Sequence, residues 1–159
     1  MTRVLACGWT AVLAALALGG SAGCAADKHE QTMAEQVMAA QWPQVAAKRW
    51  RVTTLDGRAL LKHTSITLDF LTSGDAVGRA GVNSYRAPWE RVGLTGLWFG
   101  PPAATKMHLD SPRGVMAQET RYLTLLRQVN GWAYRDGELV LTLDGKPAMT
   151  LAPDEAASG

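Results

Sequence analysis

Apolar and polar residues alternate along much of this chain. Ile66, Leu68 and Phe70 take turns with Thr67 and Asp69, the two-residue period of a half-buried strand. Trp50 to Leu55 reads as an earlier strand, stopped by the Asp56-Gly57 turn pair. Thr72-Ser73-Gly74-Asp75 carries turn chemistry, Ala76 to Ala80 is short enough for one more strand, and Gly81-Val82-Asn83-Ser84 suits an irregular turn. Val92 to Phe99 reads as a strand that ends at Gly100-Pro101-Pro102, with Tyr85 to Arg91 before it as a loop or strand edge. The C-terminal part predicts strands at Trp132 to Arg135, Glu138 to Leu143 and Lys146 to Leu151, joined by Asp136-Gly137 and Asp144-Gly145, both hairpin signals.

The period changes once within this region. Val115, Tyr122, Leu123, Leu126 and Val129, with Met116 and Glu119, recur at helical spacing up to Asn130-Gly131. Ser111 is placed to cap this helix, with Pro112 at its first position. Upstream, residues 25–48 are rich in Ala, Gln, Glu and Met. Met33, Val37 and Ala40 with Trp42 make an apolar stripe over a helix at Glu30 to Gln41, ended near Pro43. The expected fold is mainly β (α+β): a small barrel-like or half-barrel antiparallel β domain with one inserted helix.

The N-terminus follows a different logic. Arg3 precedes an apolar stretch from Val4 to Leu18, and Gly19 to Gly23 are mostly small. The stretch is shorter than the roughly 20 residues a membrane span needs. It has the order of a secretory signal, removed before folding. The cysteine after Ala22-Gly23 makes it resemble a bacterial lipoprotein signal, which implies lipidation of Cys24 as the new N-terminus, although Ser21 stands where such signals usually carry Leu. The organisation expected is a lipoprotein-type signal at 1–23, a partly helical tether at 24–48, a folded domain at 49–153 and a disordered tail at 154–159. Residues 24–159 carry 15 of the 16 Lys and Arg and all 14 acidic residues, a balance of +1. Such a balance provides no field for nucleic acid. Cys7 and Cys24 are the only cysteines, so the domain holds no disulfide and no thiolate.

Candidate chemistry is sparse. His63 lies in a loop, and His108 precedes Asp110 and Ser111, but no nucleophile-elbow motif accompanies either. No histidine pair has metal-ligand spacing, and neither a metal nor another cofactor is expected. The aromatics stand out more. Trp and Arg are over-represented at binding hot spots, which makes Arg86, Trp89 and Arg91 the candidate binding patch.

Three stretches carry a family resemblance: Trp50-Arg51-Val52-Thr53-Thr54-Leu55-Asp56-Gly57, Gly78 to Tyr85, and Thr105-Lys106-Met107 ahead of a helix with Met116, Glu119, Tyr122 and Leu123. In this order they resemble the META, or HslJ-like, domain of bacterial envelope lipoproteins, across Trp50 to Pro153. Gly81, Asn83, Thr105 and Met107 match its motif positions and are expected to be structural. Family members often carry cysteines where this chain has Val82 and Leu109, so these two are expected to form a buried apolar contact. The resemblance implies no catalytic site. The leading expectation is therefore a non-enzymatic, lipid-anchored envelope protein on the periplasmic face of the outer membrane. It would act through an envelope protein partner or in envelope maintenance. A small apolar-ligand-binding barrel is the second reading, and a hydrolase using His63 or His108 is the third.

Overall fold

The computed structural model describes residues 32–155. Residues 1–31, which include the expected signal at 1–23 and Cys24, and residues 156–159 lie outside that range. Helical residues 32–40 (α1) lead into α2 (Trp42–Ala46), with Pro43 in its first turn, where a missing N–H costs nothing. Ten strands follow: β1 (Arg49–Leu55), β2 (Arg58–Ala59), β3 (Thr67–Phe70), β4 (Asp75–Arg79), β5 (Ser84–Val92), β6 (Gly96–Phe99), β7 (Ala103–Ala104), then β8 (Gly131–Arg135), β9 (Glu138–Leu143) and β10 (Lys146–Pro153). Helix α3 (Val115–Gln128) is inserted before β8.

The strands form one antiparallel sheet in the order β6-β5-β4-β3-β1-β10-β9-β8, with β2 added to β1 and β7 to β5. The sheet is not closed. Its two edges meet at one corner, where the Trp132 N–H donates to the Thr95 carbonyl at 3.1 Å and the Leu97 N–H to Asn130 at 3.4 Å. The half-barrel expected from the sequence is therefore the architecture observed. Three of its tight turns are Asp-Gly pairs with both residues at positive φ: Asp56 and Gly57 (46° and 70°), Asp136 and Gly137 (52° and 84°), Asp144 and Gly145 (51° and 74°). These values match the twist of the flanking strands.

Two sequence expectations are corrected here. Tyr85 to Arg91 is the body of the longest strand, and Val92 to Phe99 is its end, a turn and β6. Pro88 is tolerated in β5 because it faces Asp75, the first residue of β4, while its carbonyl accepts from the Gly100 N–H at 2.8 Å. Helix α3 begins at Val115, after Gly114 at φ 87°, and Ser111 lies exposed outside it without capping it.

The concave face of the half-barrel holds the core. Trp50, Ile66, Leu68, Leu139, Leu141 and Leu151 are fully buried on it. Helix α3 covers part of this face with Val115, Tyr122, Leu125 and Leu126. Tyr122 packs edge-on against Tyr85 of β5, with ring centroids 5.5 Å apart. The Tyr85 hydroxyl donates to the Thr67 carbonyl at 3.0 Å, so the Tyr122 hydroxyl donates to Tyr85 at 2.6 Å. Helix α2 covers the face near the other end of β5. Its Trp42 and Val45 are buried, and the Trp50 indole N–H donates to the Val45 carbonyl at 2.8 Å. The folded unit thus begins ahead of residue 49, inside the stretch that the sequence pattern assigns to a tether. At the C-terminal boundary, the Asp154 N–H donates to the Arg49 carbonyl at 2.9 Å. No described helix is long and apolar enough to cross a membrane.

Burial raises the pKa of both tyrosines, and for Tyr85 the neighbouring Tyr122 adds to the shift. A phenol whose folded pKa lies above its unfolded value of 10.0 stabilises the fold fully below that pH. That contribution is lost as the unfolded chain ionises above pH 10. Urea unfolding midpoints are expected to fall steeply above pH 10, and the slope is expected to be shallower in the Tyr85→Phe/Tyr122→Phe chain.

Candidate functional site

The motif positions come together in one polar network. Between β4 and β5 the chain turns at Gly81, whose φ of +124° disfavours any side chain. This turn points the N–H groups of Val82 and Asn83 at Glu119 on α3. One oxygen, Oε2, accepts from Val82 at 3.0 Å and from Asn83 at 2.8 Å. The other, Oε1, accepts from Asn83 Nδ2 at 2.6 Å. Asn83 Nδ2 also donates to the Met107 carbonyl at 3.0 Å, and Asn83 Oδ1 accepts from Thr105 Oγ1 and the Met107 N–H, each at 2.7 Å. The Asn83 amide therefore uses all four of its hydrogen-bonding positions.

Asn83 and Glu119 are the buried polar side chains among the described residues. A buried carboxylate without partners is costly, and three N–H donors meet that cost here. The network ties a turn, the segment after β7 and helix α3 into one unit. Its donors are consumed internally. Gly81, Asn83, Thr105 and Met107 were legible as a motif. Glu119 was legible only as a polar residue on an apolar helical stripe, and its partner lies 36 residues away in sequence.

The expected contact between Val82 and Leu109 does not form as a buried pair. Val82 is buried, but Leu109 is 48% exposed. Hydrogen bonds from Asn83 hold the loop by the Met107 backbone, which leaves the side chains of Met107 and Leu109 toward solvent.

The candidate patch of Arg86, Trp89 and Arg91 is also divided, because strand residues alternate between faces. Arg86 is on the convex face, 3.5 Å from Asp75. Trp89 and Arg91 are half-buried on the concave face. There they surround Trp42 of α2, together with Phe70 and Trp132. Ring centroids lie 5.1 Å from Trp42 to Phe70, 5.3 Å to Trp89 and 5.0 Å to Trp132. The Arg91 guanidinium carbon stands 5.1 Å from the Trp42 ring centroid. Lys48 extends the aromatic layer by donating to the Tyr134 hydroxyl at 3.1 Å.

The histidines stand apart from both places. His63 is exposed in a turn at φ 64°. His108 lies 3.1 Å from Asp110 with 71% of its side chain exposed. Exposed pairs of this kind are weakly held. No group of His, Cys, Asp or Glu among the described residues has the arrangement to hold a metal ion. Grooves of about 560, 550 and 410 Å3 lie on the surface and open to solvent.

Asn83→Ala leaves the Thr105 hydroxyl, the Met107 backbone and one Glu119 oxygen without their partner. The expected cost is about 2–4 kcal/mol, read from urea unfolding. Asn83→Asp is expected to cost more, because it sets a second carboxylate where the amide lies 2.6 Å from Glu119.

No curated protein matches this chain. Among solved structures, an NMR structure of a protein from Burkholderia xenovorans shares the fold. Its TM-score is 0.58 at 21% identity, over 74% of this chain and 88% of the other. The META domain matches residues 43–156, which include α2 from Pro43 onward, the polar network and every strand. The chain belongs to the META domain family.

Proposed function

We propose that this protein is a lipid-anchored envelope protein whose META domain acts by contacting another protein, without catalysis. The anchor is Cys24, following the signal-like residues 1–23, and the location is the periplasmic face of the outer membrane. Eight residue steps separate Cys24 from the start of the described helix, at most about 3.5 Å each. Because α2 is docked in the domain, its part of residues 24–48 adds little reach. The domain is then held close to the membrane surface, where a membrane-associated partner would meet it at high effective concentration.

The observation that carries a contact role is Trp98. It is 47% exposed on the edge strand β6, on the convex face. Its ring and the Pro88 ring flank Gly100, where an added Cβ would come within 3.3 Å of both. Val92 at 61% exposure and Leu94 are exposed near the β5–β6 turn, and Glu90 lies directly across from Trp98. A large aromatic left in water near a proline ring is a typical contact anchor. The buried carboxylate and the exposed histidines lack the arrangement of a catalytic cleft, which supports the same reading.

Mass spectrometry of the envelope-purified protein is expected to show a chain starting at Cys24 with added acyl mass. An unmodified start there, or a start at another residue, rejects the anchor. Crosslinking pull-down from native envelopes is expected to lose its principal partner about 10-fold or more with Trp98→Ser, as for a hot-spot residue. The thermal midpoint of that variant should stay within about 2 °C of the wild type, since exposed substitutions change stability little. An unchanged partner set would place the contact elsewhere and reject this reading.

A further inference from the structure

The layer around Trp42 has an unusual imbalance. Three of its donors, Trp89 Nε1, Trp132 Nε1 and Arg91 Nε, are enclosed and have no hydrogen-bond partner. Trp132 is 2% exposed, and no protein acceptor meets its indole N–H. Buried donors of this kind are rare and costly. All three belong to side chains packed around Trp42, which brings an aromatic face but no acceptor. The surroundings therefore offer more than Trp42 uses: three aromatic walls from Phe70, Trp89 and Trp132, a guanidinium against the guest ring, and unspent N–H groups.

Trp42 is also not part of the sheet that builds these walls. It sits on α2, a five-residue helix placed before β1. Helix α2 is attached by the Trp50 bond to Val45, by the buried Val45 side chain and by Trp42 itself. Displacing it breaks no strand pairing.

We infer that Phe70, Trp89, Arg91 and Trp132 form a binding site for a planar aromatic carboxylate, occupied in this structure by the chain's own Trp42. A flat ring replaces the indole between the three aromatic walls. Its carboxylate accepts from the two indole N–H groups and from Arg91, which satisfies the donors that Trp42 leaves unpaired. Docked Trp42 competes with the ligand, so the apparent affinity is reduced by the fraction of chains in which α2 is released. This site is on the concave face, separate from the Trp98 surface, and does not depend on the anchor at Cys24.

The probe is 2-naphthoate, titrated into the full chain in detergent while the indole N–H resonances are followed by NMR. In the Trp42→Ala chain it is expected to bind at least about 10-fold more tightly than to the wild type, and to shift the Trp89 and Trp132 N–H signals downfield. The neutral ring 2-methoxynaphthalene should leave those signals in place. Adding Arg91→Met to Trp42→Ala should weaken carboxylate binding about 10-fold, as expected for a charge-assisted hydrogen bond. A folded Trp42→Ala chain in which neither signal moves, or which responds equally to the neutral ring, overturns the inference. If Trp42→Ala does not fold, Trp42→Leu keeps an apolar residue on α2 and is judged by the same outcomes. If both fail to fold, millimolar 2-naphthoate on the wild type decides. Movement of the Trp132 signal supports the site, and an unchanged spectrum overturns it.

Discussion

The Glu119 carboxylate in the Gly81–Asn83 turn is the fixed point of this molecule. An open sheet of ten strands leaves an apolar concave face that water would reach unless another element covers it. Helix α3 provides that cover, but its apolar stripe alone does not fix where the helix lies along the sheet. The three N–H donors around Glu119 do so, since a displaced helix would strand a buried charge. Asn83 carries the same constraint on to Thr105 and Met107, so one amide sets the position of three segments. Burial of the Tyr85–Tyr122 pair follows from that placement.

The other end of β5 is covered under weaker constraints. Helix α2 is short, and Trp42 is held there by ring packing and a cation, without a hydrogen-bonded network. Polar atoms are fully paired around Asn83, whereas Trp89 Nε1, Trp132 Nε1 and Arg91 Nε around Trp42 have no protein partner. The first arrangement specifies a fold, and the second leaves binding capacity unused. That contrast is why the aromatic layer, and not the family motif, is the place in this domain where a ligand has something to gain.

Much of the strand order could be read along the chain because its causes are local. The Asp-Gly turns and the alternation at Ile66, Leu68 and Phe70 each depend on a few neighbouring residues. The Arg86, Trp89 and Arg91 patch divides between two faces for an equally local reason. Once Ser84–Val92 is known to be a strand, positions 86 and 89 differ by an odd number and must face opposite sides. Pro88 interrupts the strand signal between these positions. By the same alternation Trp98 is outward, between inward Leu97 and Phe99.

The sequence by itself determined the antiparallel β class, the single inserted helix, the turns and the family, because periodicity and turn chemistry act over a few residues. Only the tertiary structure decided that Trp42 belongs to the domain, that Glu119 holds Asn83, that Leu109 faces solvent, and which tryptophans are walls and which is surface. Each of those outcomes joins residues tens of positions apart. Their partners are chosen by burial across an unclosed sheet, a condition that no local pattern carries.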